Sequence, residues 1–210
     1  LDNIKTFIEK NGVSLEDKVF CDLFSGTATV GDYFKNTCQI IANDSLYFAY
    51  AIANGKLRYT DDFFKTLGFD PFDYFNTVDF SKYTQGFCYN TFAPTINGKQ
   101  YFSDENAKKI DFIRDTIDEW YKDKKINEYE KLYLIGSLIE SVSKVSNVAG
   151  VYSAFLKIWD SRAIKLMNYI PLETIESKTS KFNTNSIYFG DALETIKNIK
   201  GDILYLDPPY

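Results

Sequence analysis

Apolar positions change their spacing several times along the chain, and each change marks a different kind of element. At the start, Ile4, Phe7 and Ile8 recur at helical spacing. Residues 18–24 then form a short apolar run, the pattern of a buried strand, which stops at Ser25-Gly26-Thr27. A helix is predicted over about 29–35, then a strand over Gln39-Ile40-Ile41-Ala42 ending at Asn43-Asp44. A second helix follows over 46–59, with Leu46, Tyr50, Ala53 and Leu57 on one side. Strand, turn, helix, strand, helix predicts a parallel sheet with right-handed crossovers.

From about Thr60 the periodicity is lost. Residues 61–102 are aromatic and turn-rich, with Pro71, Gly86, Pro94 and Gly98 interrupting every candidate element, so this stretch reads as irregular. Long irregular segments inside compact domains tend to be functional insertions. Ser103 then opens a helix to about Asp123, with Ile110, Ile113, Ile117 and Trp120 on one face. Asn127 and Glu130 have capping-box spacing, and Leu132, Ile135, Leu138, Ile139 and Val142 carry a second apolar stripe. The two form a helical hairpin. Strand character returns at 186–189 and, after a short helix to about Ile199, at Ile203-Leu204-Tyr205-Leu206. The expectation is a sheet interrupted by an insertion, with no internal repeat.

Composition narrows the chemistry. At 210 residues, 45% hydrophobic and 25% charged, the chain fits one globular domain carrying an insertion. A fold of this size buries roughly 70% of its unfolded surface and needs no disulfide or metal staple. Aromatics reach 17%, a surplus available to stack on flat ligands, although an AT-rich genome gives the same enrichment. Cys21, Cys38 and Cys88 are odd in number and lack CxxC spacing, which argues for a reducing compartment and against a zinc site. Histidine is absent, which excludes Ser-His-Asp and Cys-His catalysis and zincin sites. Chemistry here must rest on carboxylates, hydroxyls, amides, backbone or a bound cofactor. The chain has neither an 18-residue apolar stretch nor a signal-peptide layout, so no membrane association and a cytoplasmic location are expected. The net charge of -5 has the wrong sign for a simple polyanion binder, which moves attention to local charge. Residues 141–182 hold six Lys or Arg against three Asp or Glu, a candidate phosphate-contacting stretch as well as an ordinary solvated face.

Three motifs lie at predicted strand ends. In Asp22-Leu23-Phe24-Ser25-Gly26-Thr27-Ala28-Thr29-Val30-Gly31, the positions of Gly26, Ala28 and Gly31 follow a G-x-G-x-x-G spacing with Ala in the middle, a turn that lets backbone approach a ligand; any tight strand-to-helix turn can look the same. Asp44 lies 18 residues beyond Gly26, near the offset at which a carboxylate accepts ribose hydroxyls; capping the helix near Leu46 is the competing role. The most specific motif is Asp207-Pro208-Pro209-Tyr210. Two prolines end the strand and hold the backbone rigidly, so that Asp207 and the Pro208 carbonyl can accept hydrogen bonds from a planar amine while Tyr210 stacks on its ring.

Asp22 to Gly31, Asp44, Asp191 and Asp207 to Tyr210, in that order, resemble the motifs of DNA adenine N6-methyltransferases of restriction-modification type in the Dam-like, class alpha arrangement. Residues 103–120 and 147–157 resemble the same family. The resemblance implies an α/β fold: a Rossmann-like S-adenosylmethionine-dependent methyltransferase sheet with a mainly helical target-recognition insertion. Residues 1–59 would form the cofactor-binding part, 60–182 the insertion and 183–210 the catalytic part. Since Leu1 is not Met and the family's later strands do not follow Tyr210, the segment reads as C-terminally incomplete.

The resemblance further assigns roles. Asp22 would anchor the amino group of the cofactor's methionine moiety, with Phe24, Ser25, Gly26, Thr27 and Ala28 wrapping that end; Ala28 stands where the family commonly has Gly. Asp44 would take the ribose hydroxyls, and Asp191 with Ala192 the adenine, although Asp191 could equally cap the following helix. Asp207, Pro208, Pro209 and Tyr210 would be catalytic, acting on an adenine flipped from double-stranded DNA. Asn147, Tyr152, Lys157, Arg162 and Lys165 are the candidate DNA contacts. No metal is required, and a cognate restriction endonuclease in a prokaryotic cytoplasm would be the partner. The competing functional reading is a non-catalytic methyltransferase-like module that binds DNA or a partner.

Overall fold

The computed structural model describes residues 1–83, 86–176 and 184–209. The chain divides into two compact units, Leu1–Phe63 with Leu172–Tyr210, and Phe64–Pro171. The sequence reading put the first boundary at 59/60; its second, 182/183, lies outside the described residues.

In the first unit, α1 (Asp2–Lys10) precedes β1 (Val19–Asp22), α2 (Thr29–Phe34), β2 (Gln39–Asp44) and α3 (Tyr47–Arg58). The chain re-enters this unit with β3 (Ser186–Phe189), α9 (Ala192–Thr195) and β4 (Ile203–Tyr205). The four strands pair in parallel in the order β3-β2-β1-β4. Because β1 carries β2 on one side and β4 on the other, the order reverses at β1/β4, the kind of switch point where ligands lie beyond the strand C-termini.

Apolar residues of the central strands hold this sheet to its helices. Phe20, Ile40 and Ala42 are fully buried against Phe34, Ala53 and Leu57, and the Phe20 and Phe34 rings stack at 4.9 Å. Two polar clusters fix the helices. Lys35 reaches Asp32 at 2.7 Å, the Thr174 hydroxyl at 2.6 Å and the Lys56 carbonyl at 2.8 Å, and burial lowers its pKa. Asn185 accepts from the Ile40 amide and donates to the Leu57 carbonyl, pinning the entry to β3 against β2 and α3.

The second unit contains α4 (Pro71–Thr77), α5 (Phe87–Phe92), α6 (Pro94–Asn97), and the hairpin of α7 (Asp104–Lys122) and α8 (Glu128–Ser143). Three short helices thus occupy the stretch expected to be irregular. The residues that looked like interruptions are their boundaries: Pro71 and Pro94 take first-turn positions, Gly86 is an N-cap and Gly98 a left-handed C-cap at φ +71°. Both long helices are capped as their sequences predict, by Ser103 and by the reciprocal Asn127–Glu130 capping box. Much of the aromatic surplus is core here: Phe72 stacks on Tyr169 at 4.8 Å, and Phe75 packs on Trp120 at 5.0 Å. Among the described residues, no helix is long and apolar enough to cross a membrane.

Candidate functional site

Parallel pairing brings the C-terminal ends of all four strands to one sheet edge. The register sets Asp22, the last residue of β1, against Ala42 of β2 and Tyr205 of β4. Asp44 ends β2, Asp191 follows β3 and Asp207 follows β4. Four carboxylates distant in sequence therefore share one edge.

Asp22 is 1% exposed, and its Oδ1 has no hydrogen-bond partner among the described residues. Burial pushes its pKa up to about 6; the Phe24 amide, donating to the carboxylate, opposes the rise, and the negative charges of Asp207 and Asp44 add to it. A buried acid in this condition is stabilised by a cation brought to it. The Ser25 hydroxyl is also buried without a hydrogen-bond partner among the described residues.

The turn after β1 is built by backbone. The Ser25 amide donates to the Asn43 carbonyl at 2.9 Å, the Gly26 amide to Asp44 Oδ2 at 2.9 Å, and the Ala28 amide to the Ser25 carbonyl at 2.7 Å. Gly26 and Ala28 both adopt left-handed backbone, at φ +50° and 54°. Such a conformation costs a non-glycine residue about 1 kcal/mol or more, which the fully buried Ala28 withstands through its surroundings.

Asp44 divides its carboxylate between two jobs, Oδ2 accepting from Gly26 and Oδ1 from the Leu46 amide at 2.9 Å. Leu46 is the N-cap of α3 and makes no side-chain cap, so the bond from its amide to Asp44 braces the approach to the helix and the expected capping role of Asp44 is not taken up. Asp191 caps α9, and a single oxygen, Oδ1, takes both the Leu193 and Glu194 amides, at 2.7 and 3.3 Å. Asp207 is exposed and accepts from the Tyr205 hydroxyl at 3.3 Å.

One buried residue that the motifs do not flag ties these ends together. Asn43 donates to the Leu23 carbonyl at 3.1 Å and the Gly190 carbonyl at 3.2 Å, and accepts from the Thr195 hydroxyl at 2.8 Å. It bridges β1 and β3 through β2. In sequence it reads as a turn residue next to Asp44; only its burial at 1% exposure reveals the role.

A cavity of about 580 Å³ opens at this edge, lined by Phe24, Gly26, Asp44, Asp191, Ala192, Asp207 and Pro209, with Leu46 and Leu193 among its apolar walls. Of the other expected residues, Asp22, Ser25 and Ala28 are buried, and Thr27 is exposed, paired with the Thr29 hydroxyl. Pro208 is exposed. Tyr210, Lys178 and Lys181 lie outside the described residues. Among the described residues the lining holds three carboxylates and neither Lys nor Arg, a set that attracts cations and hydroxyl donors and repels a pyrophosphate.

The candidate DNA contacts belong to the second unit. Tyr152 is 54% exposed, Lys157 and Lys165 are exposed, and Arg162 pairs with Asp160 at 3.1 Å. Asn147 differs from its expected role as a base contact: it is fully buried, with both amide hydrogens given to the Gln100 and Leu156 carbonyls and its oxygen accepting from Asp160. Its part is to shape the loop around it.

Several known proteins are similar to this chain in sequence. Over 215 residues the chain is 38% identical to the modification methylase LlaI of Lactococcus lactis subsp. lactis, covering 100% of this chain and 34% of the relative. It is 39% identical to the type II methyltransferase M.FokI of Planomicrobium okeanokoites, covering 100% of this chain and 33% of that protein. With M.NlaIII of Neisseria lactamica the identity is 40%, over 95% of this chain and 58% of the relative. The chain thus spans about a third to somewhat over half the length of these curated relatives. No solved structure matches it significantly. A family model for the D12 class N6 adenine-specific DNA methyltransferases matches residues 1–210, and the chain belongs to that family.

Proposed function

We propose that the chain carries the donor-binding and catalytic edge of a site-specific DNA methyltransferase that moves a methyl group from S-adenosylmethionine to N6 of an adenine flipped out of duplex DNA. The convergence of Asp22, Asp44, Asp191 and Asp207 on one sheet edge, the last three lining a cavity with no basic side chain among its described residues, is the observation that carries this reading. The residues suit the donor. It bears an ammonium and a sulfonium, and the unpartnered Asp22 oxygen is a buried acceptor for such a cation. When bound, S-adenosylmethionine supplies an electrophilic methyl group.

The chain's own residues do the rest. Asp22 holds the donor's ammonium, and the turn from Phe24 to Ala28 encloses that end. Asp44, with one backbone amide on each oxygen, keeps a second lone pair on each for ribose hydroxyls. Asp191, whose capping uses only Oδ1, keeps Oδ2 for the donor's adenine amino group, beside Ala192. Asp207 and the Pro208 carbonyl accept the two hydrogens of the target N6. This draws the nitrogen lone pair out of ring conjugation and offsets the positive charge that develops as the new bond forms. Pro208 and Pro209 fix these acceptors in place, which contributes through positioning. Tyr210 stacks on the extruded base.

In this reading duplex DNA binds through the second unit, with Tyr152, Lys157, Arg162 and Lys165 toward the nucleic acid and Asn147 bracing their loop. The protein acts in a prokaryotic cytoplasm beside a cognate restriction endonuclease. The test uses full-length protein, labelled S-adenosylmethionine and duplex DNA digested to nucleosides. Label should appear in N6-methyladenine and vanish with Asp207→Ala; equal labelling by the variant, or label on another base, rejects the assignment.

A further inference from the structure

Asp22 is surrounded by other acids. Its side chain is 1% exposed, and its Oδ1 has no hydrogen-bond partner among the described residues. The Phe24 amide donates to the carboxylate, but the charges that act on it, those of Asp207 and Asp44, are both negative. Asp44 ends β2 and Asp207 follows β4. Across the sheet Asp22 is paired with Tyr205 of β4, which carries a phenol, and with Ala42 of β2, which carries no charge. Asp191, after β3, lines the cavity together with Asp44 and Asp207, and the described lining residues include neither Lys nor Arg.

A carboxylate buried in this way is relieved by either of two events. It takes up a proton and becomes neutral, or it receives a cation and stays ionised. Each removes the reason for the other: a neutral carboxyl no longer attracts an ammonium, and an ammonium in contact with the carboxylate weakens its hold on a proton. Burial pushes the Asp22 pKa up to about 6, which brings this exchange close to neutrality. An exposed aspartate, titrating near pH 4, stays ionised throughout that range and shows no exchange. Asp44 and Asp191 are placed differently, since two backbone amides already donate to each.

We propose that a proton and the ammonium of the methyl donor compete for the Asp22 carboxylate, so that acidification empties the donor site and donor binding expels the proton. The inference rests on the methyltransferase reading above and adds a control of the same site by pH. The step balances simply. The O–H bond of the neutral carboxyl breaks, its proton passes to solvent buffer, and the ammonium of the donor takes the place of that proton as the partner of the carboxylate. No covalent bond to the donor forms or breaks in the exchange.

The test uses full-length protein and calorimetry in two buffers that differ in heat of ionisation, which counts the protons released on binding. With S-adenosylmethionine the release should be about half a proton near pH 6 and about a tenth near pH 7, below the range where the donor's own amino group titrates. Donor affinity should fall about tenfold from pH 7 to pH 5. Adenosine, which lacks both the ammonium and the sulfonium, should bind with neither effect. The weaker donor binding that remains in Asp22→Asn should not vary over the same range. Difference infrared spectroscopy reads the carboxyl directly: the band of a protonated carboxyl in the unliganded protein near pH 5 should disappear on adding the donor and should be missing from Asp22→Asn. Melting of the variant at each pH separates lost binding from a lost fold. Donor binding without proton release near pH 6, a release that persists in Asp22→Asn, or an affinity that is flat from pH 5 to pH 7 overturns the inference and leaves the donor site standing. If S-adenosylmethionine binds at no pH, the reading beneath it falls, and the inference with it.

Discussion

Replacing Asp22 by Asn separates what this residue does for the fold from what it does for a ligand. The pKa rises from 3.8 to about 6, close to two units, so holding the carboxylate ionised in the folded protein costs up to about 3 kcal/mol. The sign follows from proton uptake. Between about pH 4 and pH 6 the unfolded chain has lost the Asp22 proton and the folded chain retains it, so stability falls as pH rises through that window and levels off above it. Asparagine keeps the shape and the acceptor for the Phe24 amide but carries no charge. Allowing for the amide's own burial, the variant should be more stable than the unaltered protein by about 1–2 kcal/mol near pH 7.5, with the gap closing near pH 4. Urea unfolding of both full-length proteins at the two pH values measures it. In the same experiment saturating S-adenosylmethionine should stabilise the unaltered protein and leave the variant nearly unmoved. A variant less stable near neutrality, or a gap that ignores pH, refutes the claim that Asp22 is kept as an uncompensated acid.

Three further outcomes follow from the same geometry. Asn43→Ala leaves the Leu23 and Gly190 carbonyls and the Thr195 hydroxyl without their partner; about 2–3 kcal/mol of stability should be lost in urea unfolding, with weaker donor binding by calorimetry. Gly86→Ala places a methyl group inside the Asp111 carboxylate that accepts from the Cys88 and Tyr89 amides, so the second unit should lose about 2–3 kcal/mol, seen as a separate early transition in thermal unfolding. Lys165→Ala should lower duplex affinity on every sequence and reduce the slope of log affinity against log salt by about one, measured by fluorescence anisotropy.

Local signals in the sequence predicted local structure well. The two capping motifs at Ser103 and Asn127 mark real helix starts, because a cap is set by residues three apart. The strands ending at Asp22 and Asp44 were legible for a similar reason, since short apolar runs ending in turn residues need no long-range partner to be recognised. What failed depended on context. Pro71 and Pro94 read as breaks, although proline at the first turn of a helix opens one as readily as it ends another. Asp44 and Asp191 each leave two roles open in sequence, and only hydrogen-bond geometry tells them apart: Asp191 caps α9 and still faces the cavity, whereas Asp44 faces the cavity without capping α3. Asn147 and Asn43 depart from their sequence expectations in opposite directions: the expected DNA contact is buried, and the residue that reads as part of a turn ties three strand ends together. An asparagine in sequence does not disclose whether its amide faces solvent or is consumed inside.

The central claim is that the carboxylate-lined edge holds a cationic methyl donor, and calorimetric titration of the full-length protein with S-adenosylmethionine and with NAD tests it most directly. Binding of S-adenosylmethionine, at least about tenfold weaker after Asp22→Ala, with no measurable binding of NAD, is the predicted result. Preference for NAD, or equal affinity of the Asp22→Ala variant for S-adenosylmethionine, contradicts the account.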